Sequence, residues 1–181
     1  TVNLLKFTFK KLGIDVTFVD DQDDLEAWRA AVRPNTKAFF AETIANPKQE
    51  ILDIEAVAAI LRERGLRLLL DFVPNHTGLD HPWVEEHPEY YMPGTELDLA
   101  RAPQNYTWIK GKGGDRLLAY GRDPYFAGWP DTLQLNYGNP ATQEAMIDQL
   151  MKIAGQCDGV RCDMAMLVLP EVFERTWGIA A

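Results

Sequence analysis

Five residues in two short stretches could together do chemistry. "DFVPNHTGLD" (71–80) contributes Asp71, Asn75 and His76, and "DGVRCDMAM" (158–166) contributes Arg161 and Asp163. An arginine two positions before an aspartate on a strand points to the same face. Its guanidinium can then fix the carboxylate and favour its charged form. An ionised, immobilised carboxylate suits a nucleophile. The alternative is a purely structural Arg–Asp pair, and spacing alone leaves both open.

Both stretches need a scaffold that brings strand ends together. "VTFVD" (16–20) is β-branched and aromatic and reads as a buried strand. Asp23 or Asp24 can cap a helix over "LEAWRAAV", and "KAFFAET" (37–43) reads as a second strand. "DIEAVAAILRERG" repeats Ile54, Val57, Ala58 and Leu61 at helical spacing, with Asp53 as cap and Gly65 as stop. "LRLLLDFV" is the third strand, "NPATQEAMIDQLMKIAG" a helix, and "DGVRCDMAM" a short strand. The helix is expected to bury Ala145, Leu150 and Ile153, together with Met146 or Ile147. Alternation of this kind predicts an α/β unit of about four parallel strands with crossover helices. An open α/β sheet and part of a barrel both satisfy it. In either, ligands gather at the carboxyl ends of strands, where the five residues fall.

Residues 78–140 interrupt the alternation with aromatics, prolines and glycines, as in "HPEYYMPG", "GKGGD" and "DPYFAGWPD". Excursions of that length inside a domain are usually functional. Tyr90, Tyr91, Tyr106, Trp108, Tyr120, Tyr125 and Trp129 could offer platforms for sugar rings or simply pack a small subdomain.

Composition excludes several classes. A formal charge of −9 argues against nucleic acid and anionic membrane as partners. No apolar run reaches the roughly 20 residues of a membrane span, and "TVNLLKFTFKK" does not read as a signal peptide. Cys157 and Cys162 are too few for a disulfide framework, so a soluble, cytoplasmic chain is expected. The chain contains no serine, which removes Ser-His-Asp schemes. His76, His81 and His87 are spaced too loosely for a zinc pair, and "GKGGD" reads better as a hairpin tip than as a phosphate loop.

From about residue 61 onward the sequence resembles the α-amylase family of glycoside hydrolases. "DFVPNHT" is similar to that family's signature at the end of the third barrel strand, and "GVRCDMA" to its fourth-strand signature. The resemblance implies a partial (β/α)8 barrel with an excursion at 78–140, acting on α-glucosidic bonds by a retaining mechanism. It implies Asp163 as covalent nucleophile, Arg161 as its orienting partner, His76 as a sugar ligand in the reacting subsite and Asp71 as support. It places Asn75 near a structural calcium, with a small carbohydrate as partner and no required cofactor.

Residues 1–60 resemble instead the pyridoxal-phosphate enzymes of cysteine and methionine metabolism, of the O-acetylhomoserine sulfhydrylase type, through "ETIANP" and the strand ending in Asp71. That resemblance implies Asn46 and Asp71 as cofactor contacts. The whole then reads as one α/β unit of recombined character, with a seam near "AAILRERG".

Each half lacks something. Retaining glycosidases need a second carboxyl as general acid, and neither Glu171 nor Glu174 sits in that family's acid motif. A pyridoxal-phosphate enzyme needs a Schiff-base lysine, and Lys110 and Lys112 lie in an unrelated glycine-rich stretch, so cofactor binding is not expected. An inactive glycosidase segment, a non-catalytic α/β domain and a fragment of a pyridoxal-phosphate enzyme are the readings carried forward. A cut sheet leaves open edges, so self-association is expected.

Overall fold

The computed structural model describes residues 1–44 and 50–179. The chain divides into two compact units, Thr1–Leu68 and Leu69–Ala181.

The first unit is built on a helix pair. A π-helical turn, Leu4–Thr8, runs into the short helix α1 (Phe9–Lys11). α2 (Leu25–Ala31) starts where the Asp24 carboxylate accepts from the amides of Glu26 and Ala27, both at 3.0 Å. α3 (Ile54–Arg62) starts likewise at Asp53, which accepts from the Ala56 amide at 3.0 Å. Gly65, at φ +67°, closes α3: Gly65 N–H reaches Arg62 O and Leu66 N–H reaches Leu61 O, a Schellman pair. Trp28, Val57 and Ile60 form the buried centre, ringed by Val19, Leu25, Val32, Phe39 and Leu52.

The strands expected at 16–20 and 37–43 do not form. Both segments lack ladder pairing, and the neighbouring β contact is an isolated bridge between Ile44 and Ile51. High β propensity makes a strand only where a second strand satisfies its N–H and C=O groups. Here Val19 and Phe39 instead pack side-on around Trp28, with the Phe39 ring stacked on it at 5.4 Å.

The second unit contains three two-stranded sheets among the described residues, not one sheet of about four parallel strands. β1 (Leu69–Phe72) pairs in parallel with β6 (Gly159–Cys162). The return path runs through α6 (Pro140–Ala154), which starts at the Asn139 cap with Pro140 at its first position. α6 turns Thr142 and Met146 into the core, with Leu150 and Ile153 half-buried, while Ile147 stays exposed. The parallel α/β class is therefore present, reduced to a single pair.

The excursion is more regular than its composition suggests. β2 (His76–Gly78) pairs antiparallel with β5 (Thr132–Gln134), and β3 (Tyr106–Ile109) with β4 (Arg116–Ala119). The "GKGGD" stretch is the β3–β4 hairpin tip. Two short helices, α4 (Trp83–Glu86) and α5 (Glu96–Arg101), flank these strands, and α5 begins with a capping box between Thr95 and Asp98. The final helix, α7 (Pro170–Trp177), stops at Gly178 with φ +73°. Phe72, Val84, Tyr91, Leu118, Leu133, Leu135 and Met146 make the main core, and Met92, Ala119 and Phe173 a second cluster.

Candidate functional site

Register assembles the charged cluster. Asp71 of β1 stands opposite Arg161 of β6, and side chains directly across a ladder share a face. Arg161 uses its fork on both sides: Nη1 donates to Asp71 Oδ2 at 2.6 Å and Nη2 to Asp163 Oδ1 at 2.5 Å. Two carboxylates around it make Arg161 harder to deprotonate than an ordinary arginine, the Asp71 hydrogen bond first among the causes.

Asp163 is fixed through its backbone as well. Its N–H donates to Phe72 O at 2.8 Å, one step past the β6 ladder. The next residue, Met164, has φ +53° and is the single non-glycine residue in the left-handed region among the described residues. That conformation costs about 1–3 kcal/mol and persists only where surrounding structure imposes it. It swings the chain from β6 into the turn Ala165–Val168 and leaves Asp163 at the bend.

His76 lies beside this cluster. Burial pulls its pKa below the usual 6.5, and the nearby Asp163 and Asp131 carboxylates pull the other way. The ring is therefore neutral at neutral pH, with one donor and one acceptor nitrogen. It meets the Trp129 ring edge-on at 5.2 Å. Gly121 lies flat against it, since a Cβ there would come within 2.9 Å of the His76 Cβ.

The tautomer follows from a chain of hydrogen bonds. Gln134 Nε2 sits 3.0 Å from Asn75 O and 3.1 Å from Leu135 O, and two carbonyls can only face a donor. The Asn75 atom 3.0 Å from that Nε2 must then be Oδ1, and Asn75 Nδ2 in turn donates to Gln134 Oε1 at 3.2 Å. Asn75 Nδ2 also stands 3.4 Å from His76 Nδ1. Asn75 Nδ2 is thus turned as a donor toward Nδ1, an arrangement that the tautomer with its proton on Nε2 satisfies.

Sequence reasoning named Asp71, Asn75, His76, Arg161 and Asp163, and the structure gathers them at one end of the β1–β6 pair and the adjoining β2. Asn75 is the one buried member of the five. The residue is 1 % exposed and its amide is engaged by Gln134, and no group of three or more acidic, His or Cys residues suited to a metal occurs among the described residues. Asn46 lies outside the described residues. Glu171 and Glu174 are exposed on α7. Lys110 and Lys112 sit at the hairpin tip, where the Lys112 amide donates to Glu85 at 3.3 Å. Tyr91 is core, whereas Trp108 and Tyr125 face outward.

Gln134 and Asp131 were missed. Both lie in "WPDTLQLN", whose alternation marks a strand, but nothing local marks Asn75, the Gln134 partner 59 residues away, or His76, which Asp131 faces.

Comparison with known proteins finds two groups of relatives. Residues 1–77 match the family of PLP-dependent enzymes of Cys/Met metabolism. Over 71 residues the chain is 52 % identical to O-acetyl-L-homoserine sulfhydrylase of Corynebacterium glutamicum, a match covering 39 % of this chain and 16 % of that enzyme. An alignment of 177 residues, 28 % identical, joins it to α-glucosidase of Apis mellifera and covers 86 % of this chain and 29 % of that protein. The chain is similar to the sulfhydrylase over a short stretch and to the α-glucosidase over most of its length. Among solved structures, an α-amylase from Lactobacillus plantarum superposes with a TM-score of 0.46 at 26 % identity, covering 68 % of this chain and 24 % of that one. The chain thus spans less than a third of each of these relatives. The match to the family of PLP-dependent enzymes runs to residue 77 and so includes Asp71, Asn75 and His76. No helix among the described residues is long and apolar enough to cross a membrane.

Proposed function

We propose that residues 61–181 carry part of the site of a retaining glycosidase or transglycosylase acting on α-glucosidic bonds. The observation that carries this reading is the Arg161 fork, which holds Asp163 in one orientation at a strand end beside His76. Asp163 is the nucleophile: its carboxylate oxygen bonds to the anomeric carbon as the glycosidic C–O bond breaks, leaving a glucosyl ester. Arg161 positions it. Nε2–H of His76 donates to a sugar hydroxyl, and Asp71 anchors Arg161 from the other side.

The second carboxyl of a retaining pair stands about 5–5.5 Å from the nucleophile and protonates the leaving oxygen. No residue of this chain is assigned to that task, so natural glycosides are expected to stay intact. The reading uses no cofactor. Asp71, the carboxylate a pyridinium nitrogen would need, is engaged by Arg161 at 2.6 Å, and no calcium role is assigned to Asn75. The small carbohydrate is the partner. β1 and β6 pair only with each other among the described residues, so a second copy joining their free edges is the macromolecular partner expected.

α-Glucosyl fluoride tests the nucleophile without the acid, because fluoride departs without a proton. Incubation should release fluoride and add one glucosyl unit to the intact mass, mapped to Asp163 and absent in Asp163→Asn. An unchanged mass in the wild-type chain would leave the cluster as a structural ion pair in a non-catalytic domain.

A further inference from the structure

Residues 37–42, "KAFFAE", have the composition of a strand and none of a strand's bonds. The segment forms neither helix, turn nor bend, and none of its N–H or C=O groups takes part in a backbone hydrogen bond among the described residues. Unpaired groups on a β-prone segment are a template for another strand. The side chains are equally uncommitted. Phe40 is 64 % exposed, and exposed Lys37 and Glu42 have no ion-pair partner among the described residues. Phe39 alone faces inward, stacked on Trp28 at 5.4 Å.

The order of charges selects the partner. The segment starts with a cation, ends with an anion and has two phenylalanines at its centre. Laid antiparallel against itself with Lys37 opposite Glu42, it sets Ala38 opposite Ala41 and Phe39 opposite Phe40. Both ends of such a ladder carry an opposite-charge pair, and aromatic pairs lie between them, each a stabilising cross-strand contact. A parallel, in-register pairing would stack Lys37 on Lys37 and Glu42 on Glu42, which repel. The other unpaired segment, residues 15–20, fails the same comparison, because antiparallel to itself it sets Asp15 against Asp20.

Strand geometry then limits the size of the assembly. Residues directly opposed in a ladder share a face, so Phe39 of one copy lies on the same side as Phe40 of the other. Phe39 marks the side on which each copy carries its own Trp28 cluster. The first units of the two copies therefore lie on opposite faces of the ribbon. A third copy would return to the face of the first at two strand spacings, about 9.6 Å. That is less than the width of one helix with its side chains, about 10–12 Å, so growth stops at two.

We infer that residues 37–42 are an interaction surface for a second copy of this chain, joined as a two-stranded antiparallel ribbon with Lys37 of each copy opposite Glu42 of the other. Phe40, exposed in the single chain, is flanked there by Phe39 of the second copy. This surface lies in the first unit and is independent of the sugar site and of the β1 and β6 edges.

Sedimentation velocity of the full chain tests it, at low ionic strength because salt screens exposed charge pairs. The wild-type chain should form a dimer whose share rises with concentration. Lys37→Glu sets two carboxylates against each other at both ends of the ladder, and Glu42→Lys sets two ammonium groups there. Each variant should dimerise about tenfold more weakly. An equimolar mixture of the two variants should recover the wild-type dimer, because both end pairs are again opposite in charge. Lys37→Glu/Glu42→Lys in one chain should recover it too. Unchanged circular dichroism in dilute solution verifies that these surface variants fold. A wild-type chain that stays monomeric overturns the inference. A dimer indifferent to both single variants also overturns it and leaves the β1 and β6 edges as the junction. Weakening without recovery in the mixture overturns the pairing of Lys37 with Glu42.

Discussion

The two units of this chain contain the same kinds of sequence and do different things with them. Residues 16–20 and 68–71 are both short apolar runs ending in an aspartate. Only the second becomes a strand, because Gly159–Cys162 lies alongside it in parallel register. The first unit accordingly centres on a small cluster of Trp28, Val57 and Ile60 around a helix pair and leaves Phe7, Leu12, Phe18, Phe40 and Ile51 exposed. The second unit interlocks its strands, buries Phe173 completely, and places a fully paired Asn75–Gln134 couple in its interior. Propensity makes segments that are ready to pair, and the partner decides whether a functional strand end results.

Urea unfolding followed by tryptophan fluorescence and circular dichroism can break this contrast. The largest effect is expected from Phe173→Ala, which empties a site packed by Tyr137 and Trp177. A loss of about 3–5 kcal/mol is expected for a buried Phe, confined to the transition of the second unit. A single transition shifted as a whole would mean that the two units unfold as one body.

Asn75→Ala comes next. It strips Gln134, 0 % exposed, of two hydrogen bonds, and should cost about 1–3 kcal/mol. The paired change to apolar residues at both positions should recover much of that stability. No recovery would mean that the couple does more than satisfy itself.

Asp24→Ala probes the first unit alone. Loss of the α2 cap should cost about 1 kcal/mol there and nothing in the second unit. The smallest effect is on pH. Burial lowers the pKa of both His76 and His81 in the folded state. The unfolded chain therefore takes up protons first as pH falls through 6.5, and stability should decline from there down to the folded-state values. His76→Gln should flatten that slope. An unchanged slope would assign the effect to His81.

Helix ends were partly legible in the sequence: Asp53 and Gly65 were read for α3 and Asp23 or Asp24 for α2, while the Asn139 cap of α6 was not read. Asp24, Asp53, Asn139 and Gly65 act on amides or carbonyls within a few positions of themselves, so their signals are local. The shared face of Arg161 and Asp163 was legible for the same reason, as a consequence of strand period. The ladder was not: whether 16–20 or 69–72 became a strand depended on a segment far along the chain. The Asp71–Arg161 contact spans 90 residues and the Asn75–Gln134 pair 59. The Trp129 wall beside His76 likewise came from a contact between distant segments. Sequence by itself determined which groups were available and how each local element starts and stops. Tertiary structure decided which of them meet, because hydrogen bonds and burial are satisfied by whatever the folded chain brings within reach.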